Sequence, residues 1–206
     1  MYFHFGTRKV IEAAGVLLKA GCHQRMSYFR MLKLLYLADR VSLQETGRPI
    51  IGTRPVAMKH GALHSEVLDL VKGRHRDTAE WAAFIRTEGY EVELCADPGV
   101  GSLSRYEIGV LGRVSKRYRR MGDWDLAEAM HKLPEWAGNY REKTSTAIPF
   151  ADIIEAVGRS QDCEAILRDA KETRALQRLL GLTATSQRVL PASSRRASPG
   201  STPLPA

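Results

Sequence analysis

From Tyr28 to Leu37 the chain is apolar on every side of a helix, with only Arg30 and Lys33 interrupting it. A helix without a polar face has to be surrounded by protein, so this segment belongs at the centre of a core. Ser27 is a good N-cap in front of it, and Gly47 and Pro49 end it. The rest of the chain must supply the shell.

Several segments have the spacing to do so. Between Thr7 and Gly21, Val10, Ile11, Ala14, Leu17 and Leu18 share one helical face, and Gly21 suits a left-handed C-terminal cap. Ile50 to Val56, broken by Gly52 and Pro55, reads as an extended connector, after which Leu63 to Val71 returns to helical spacing. Asp77 with Glu80 resembles a capping box, and the helix it starts carries Trp81, Phe84 and Ile85. Tyr90, Val92 and Leu94 alternate with Glu91 and Glu93 as in a half-exposed strand, and Asp97, Pro98 and Gly99 make a turn.

Ser104 and Glu107 form the clearest start signal, an S-x-x-E box before Ile108, Leu111, Val114 and Tyr118. Gly122 ends that helix, and Asp123 caps one running through Leu126 and Met130 to Leu133 and Pro134. Pro149 precedes a helix with Ile153, Ile154 and Val157, and Ser160 caps a last one reaching Leu180. The expected fold is mostly α within the α+β class: a helical domain over residues 1–182, of about seven helices with a short β strand or hairpin element. Residues 183–206 are rich in Thr, Ser, Pro and Arg with little apolar to bury, and are expected to be a disordered tail.

Composition excludes several functional classes. Apolar residues make up 44% and charged residues 26%, as in an ordinary globular protein. No stretch approaches the roughly 20 uncharged residues of a membrane span, and Arg8, Lys9 and Glu12 interrupt any secretory h-region. Cys22, Cys95 and Cys163 form no C-x-x-C pair, so neither a disulfide framework nor a thiolate zinc site is signalled, and a reducing cytoplasm is expected. The formal charge of +8 falls to +5 without the three arginines of residues 183–206.

No catalytic constellation stands out, and an enzyme is not expected. His60 and His64 are four apart, which would place both imidazoles on one helical face, but the glutamate of H-E-x-x-H is absent and no third ligand is marked. No G-x-S-x-G, Walker A or G-x-G-x-x-G pattern occurs, and no metal or cofactor is implied. Cys22 and His23 are chain neighbours and do not face each other as an activated pair would; a loop cysteine is expected. Arg113, Lys116, Arg117, Arg119 and Arg120 crowd one helix end, where cations complement the macrodipole. Arg113, Arg117 and Arg120 would share a face, leaving open a patch for nucleic acid or an acidic partner. Trp136 follows the rigid Leu133-Pro134-Glu135 turn and is either a core plug or part of a partner surface.

Five segments in order resemble the Panacea domain, the SocA-like antitoxin family of bacteria and phages, over roughly residues 8–165. Lys33-Leu34-Leu35-Tyr36-Leu37-Ala38-Asp39-Arg40 is similar to the family's K-L-L-Y-x-A-(D/Q) central helix, and Glu45 to Ile50 to its helix-ending x-G-x-P-(I/L) turn. Val56 to Val67 lies where the family has an aromatic or His, then G-P-V and a helix, with Ala62 in place of the usual proline. Leu103 to Glu107 and His131 to Trp136 resemble its L-S-x-x-E and H-x-L-P-x-W segments. The resemblance implies a cytoplasmic antitoxin that neutralises a cognate protein toxin by direct binding, or an adaptor that delivers the toxin to an AAA+ protease. Nucleic-acid binding is the alternative, and no membrane partner is implied. The matched positions, and so the candidate partner-binding residues, are Lys33, Tyr36, Asp39, His60, Gly61, Glu66, Leu133, Pro134 and Trp136.

Overall fold

The computed structural model describes residues 3 and 6–180. In chain order, α1 (Thr7–Lys19) leads through a 3-10 turn (Cys22–Gln24) and β1 (Arg25–Ser27) into α2 (Tyr28–Thr46). The hairpin β2 (Pro55–Met58) and β3 (Gly61–His64) comes next, then α3 (Ser65–Val71), α4 (Thr78–Ala82) and a second hairpin, β4 (Ile85–Glu88) and β5 (Glu91–Leu94). The remaining elements are α5 (Arg105–Tyr118), α6 (Asp123–His131), α7 (Pro134–Asn139), β6 (Thr146–Ala147), α8 (Phe150–Ala156) and α9 (Cys163–Leu179). The strands form two small antiparallel sheets, ordered β1-β5-β4 and β3-β2-β6.

The all-round apolar helix is α2, and it occupies the centre. Met31, Leu32, Leu34, Leu35, Tyr36 and Ala38 are all buried, while α1, α5, α6, α8 and β3 pack around it. Its ends form as their residues dictate. The Ser27 hydroxyl accepts the N–H of Arg30 at 3.1 Å, and Gly47, at φ 74°, donates its N–H to the Leu43 carbonyl. Ser104 and Glu107 close a reciprocal capping box at the start of α5.

The mostly helical α+β class is as expected. Several local expectations need correction: Asp123 is the first residue of α6 behind Gly122, Pro134 begins α7 instead of stopping α6, and Ser160 lies in a 3-10 turn ahead of α9. Gly21 has φ −82°, not a left-handed conformation, and α1 ends on a right-handed Ala20. Leu63 and His64 are strand residues, and helix resumes only at Ser65. Ile85 opens β4 instead of continuing α4, and Asp77 makes no side-chain cap; its carboxylate accepts the Thr7 hydroxyl at 2.6 Å. Where one short strand or hairpin element was expected, the described residues hold six strands of two to four residues. The alternation of Val92 and Leu94 with Glu91 and Glu93 is β5, as expected; the other strands display no such period, and β3 is buried along its whole length, so it has no polar alternation to read.

The expected boundary at 182 and the tail 183–206 lie outside the described residues. Among the described residues no helix is long and apolar enough to cross a membrane.

Candidate functional site

Lys33, Tyr36, Asp39 and Arg40 fall three, six and seven residues along α2, and so line one side of it. Burying that side requires each polar head to find a partner inside the protein. The Asp39 carboxylate accepts the backbone N–H groups of Ile50, Ile51 and Gly52, each at 2.9 Å. One carboxylate thereby organises the connector that follows α2. His64 of β3 is buried beside it, its Nε2 3.2 Å from Asp39 Oδ2 but outside hydrogen-bonding geometry, and its ring tilts against Tyr36.

Glu135, at the start of α7, reaches back to the same face. Its Oε1 accepts the Tyr36 hydroxyl at 3.1 Å and Arg40 Nε at 2.8 Å. Burial, and then the Glu135 charge, push the Tyr36 phenol well above its ordinary value.

Lys33 is poorly satisfied for a buried charge. Its side chain is buried, and its Nζ has one long bond, 3.3 Å to the Ala62 carbonyl, with the Phe29 ring at 5.0 Å. Among the described residues no carboxylate pairs with it, and burial alone pulls its ammonium down to about 7.

Above this layer lies an aromatic surface built on the tip of the β2–β3 hairpin. The His60 ring meets Trp124 at 5.5 Å and Phe29 at 6.2 Å, and Phe29 meets Trp124 at 5.9 Å. Trp124, on α6, is 70% exposed. Beside it His131 stacks on Trp136 at 4.2 Å, and Trp136 on Tyr140 at 4.8 Å. Two bonds clamp this stack to the hairpin: Trp136 Nε1 donates to the Met58 carbonyl at 2.9 Å, and His131 Nε2 to the Lys59 carbonyl at 3.0 Å. Partial burial lowers the His60 pKa, and the charges of Lys59, Lys33 and His131 lower it further.

The candidate residues named from sequence are thus divided between two layers. Lys33, Tyr36 and Asp39 are interior, and Gly61 is buried against Met130. His60, Leu133 and Trp136 are half-buried and Pro134 is exposed. Glu66 stands apart from the stack: its Oε2 accepts the Arg54 N–H and the Ser65 hydroxyl, tying the start of α3 to the connector. His60 and His64 do not share a helical face, because one sits at a hairpin tip and the other inside a strand. Among the described residues no group of His, Cys, Asp and Glu is placed to hold a metal ion. Cys22 is an exposed residue of the 3-10 turn.

The basic run is also divided. Arg113 is held by both oxygens of Glu45, which also accepts the Tyr106 hydroxyl. Lys116, Arg117, Arg119 and Arg120 are exposed and have no ion pair or side-chain hydrogen bond among the described residues.

Sequence reasoning did not place Phe29, Arg40, Trp124, His131, Glu135 or Tyr140 at the site, and weighed His64 only as a metal ligand beside His60. Trp124 had a legible signal. It precedes Leu126 by two residues, which turns it away from the buried Leu126, Ala127 and Met130 face of α6.

The family model described as antitoxin SocA-like, Panacea domain, matches residues 31–137, just over half the chain. That span runs from α2 into α7 and contains Lys33, Asp39, the hairpin tip, Trp124 and Trp136. No curated protein and no solved structure matches the chain significantly.

Proposed function

The chain belongs to the SocA-like antitoxin family, with its Panacea domain at residues 31–137, and from that premise we propose that it neutralises a cognate protein toxin by binding it. The hairpin-tip face is the contact. The observation that carries this reading is Trp124, a tryptophan 70% exposed and flanked by His60 and Phe29. Large aromatic side chains with a polar handle dominate the energetics of protein interfaces, and leaving one in water has no benefit to the free monomer. The clamp from Trp136 and His131 holds the surface in shape before a partner arrives, so little ordering entropy is lost on binding.

In this reading the chain works by affinity and not by catalysis, in the cytoplasm where its toxin acts. Delivery of the bound toxin to an AAA+ protease is a second use of the same first contact.

Co-expression with the neighbouring open reading frame tests the reading. The neighbour alone arrests growth and this chain restores it; a harmless neighbour, or arrest that this chain leaves unrelieved, overturns it. Toxin levels separate the two routes, since direct neutralisation leaves the toxin abundant and delivery depletes it.

A further inference from the structure

We propose that the cavity between β1, the 3-10 turn and the C-terminal end of α5 is a docking site for an acidic, extended protein segment, whose carboxylates meet Arg119 in the cavity wall and Lys116 and Arg120 on the adjoining side of α5. The site is distinct from the hairpin-tip face and does not depend on it.

The charge there is unspent. Neighbouring arginines are occupied: Arg25 pairs with Glu91, Arg30 with Asp123 and Arg113 with Glu45. The four cations at the end of α5 have no such partner among the described residues. Nor are they needed to neutralise the helix end, because Arg30 already donates to the carbonyls of Tyr118 and Met121. What remains is a local excess of positive charge facing solvent.

The cavity beside it has a volume of about 570 Å³, and Arg119 and Ser115 form one wall. Met26 and Leu34 give it apolar surface, so it can take side chains as well as charge. Cys22 lies on its opposite rim, in a turn where His23 and Gln24 both have positive φ, 52° and 55°. Non-glycine residues adopt that conformation at a cost, and keep it where their surroundings impose it, so this wall is preset.

Two features favour a protein segment over nucleic acid. All three residues of β1 line the cavity, and β1 is an edge strand of its sheet, so an incoming extended chain finds a strand edge beside the cations. Alternate residues of such a chain lie about 7 Å apart, close to the separation of cations three and four apart on a helix. In addition, Glu91 and Asp123 line the same cavity. A phosphodiester backbone would bring unbroken negative charge against them, whereas a peptide can place an apolar side chain there.

Fluorescence anisotropy with the full chain tests the proposal, using a labelled peptide of alternating glutamate and valine. The peptide binds, and its affinity falls about tenfold or more between about 50 and about 200 mM salt. Reversing the patch (K116E, R117E, R119E and R120E together) abolishes binding with an unchanged circular dichroism spectrum. The same charge change on exposed cations of α9, R168E, K171E, R174E and R178E, leaves it intact. Equal loss in the α9 variant means attraction to net charge alone and overturns the site. So does peptide that fails to bind at low salt, or single-stranded RNA or duplex DNA that binds at least as tightly as the peptide.

Discussion

A Cβ added to Gly61 would lie 3.3 Å from Lys33 Nζ and 2.6 Å from the Cβ of Met130. The hairpin tip therefore rests directly on α2 and α6, with room for a hydrogen and nothing larger. Gly61 also has φ 104°, which disfavours any side chain. Gly61→Ala combines backbone strain with a steric clash and should cost about 2–4 kcal/mol. A urea titration measures this; a variant as stable as the parent would mean that the hairpin lifts freely.

Lys33 should make stability depend on pH. Its ordinary pKa of 10.5 falls to about 7 in the fold, so between those values the unfolded chain carries a proton that the folded chain lacks. Stability therefore rises with pH across that window, by about 1.4 kcal/mol per unit, and levels off below pH 7, where both states are protonated. Lys33→Met keeps the shape and removes the charge. It should stabilise the protein by about 1–4 kcal/mol at neutral pH and remove this part of the slope. Urea titrations of variant and parent at pH 7, 8 and 9 check it; parallel curves would show that Lys33 stays charged.

The helices were legible because α1 and α5 repeat an apolar face over 13 and 14 residues, because the start of α2 is apolar on every side, and because Ser27, Gly47, Ser104 and Glu107 act through bonds local to the chain. Of the strands only β5 was legible, from the alternation of Val92 and Leu94 with Glu91 and Glu93; the others are too short or too evenly buried to show a period. The site was half legible. Resemblance marked Lys33, Tyr36 and Asp39, yet their partners are set by tertiary packing: Glu135 lies 99 residues from Tyr36. The three N–H groups on Asp39 belong to a connector that reads only as irregular. The basic run was visible as composition, but which of its members Glu45 removes was not.

Asp39 should act as the organiser of that connector. An amide in its place offers one acceptor oxygen to three N–H donors and turns an NH₂ toward at least one of them. Asp39→Asn should then cost about 2–3 kcal/mol, the penalty of leaving buried donors unpaired beside a lost charge-assisted bond. Hydrogen exchange localises the effect, with the amides of Ile50, Ile51 and Gly52 losing protection before those of α5. Uniform loss across the domain would show that Asp39 supports the whole core and not this connector.

Trp124 separates binding from folding. Its side chain is 70% exposed, and its contacts are with the rings of Phe29 and His60, so Trp124→Ala should shift stability by no more than about 0.5 kcal/mol. A central aromatic anchor of an interface, by contrast, contributes about 2 kcal/mol or more, equivalent to about thirtyfold in affinity. The variant should therefore melt like the parent and fail to rescue cells from the toxin. Trp124→Phe, which keeps an aromatic ring against His60, should recover part of the rescue. Full rescue by Trp124→Ala would move the toxin contact away from the hairpin tip, because no other ring of this surface combines such exposure with a fixed position between two neighbours.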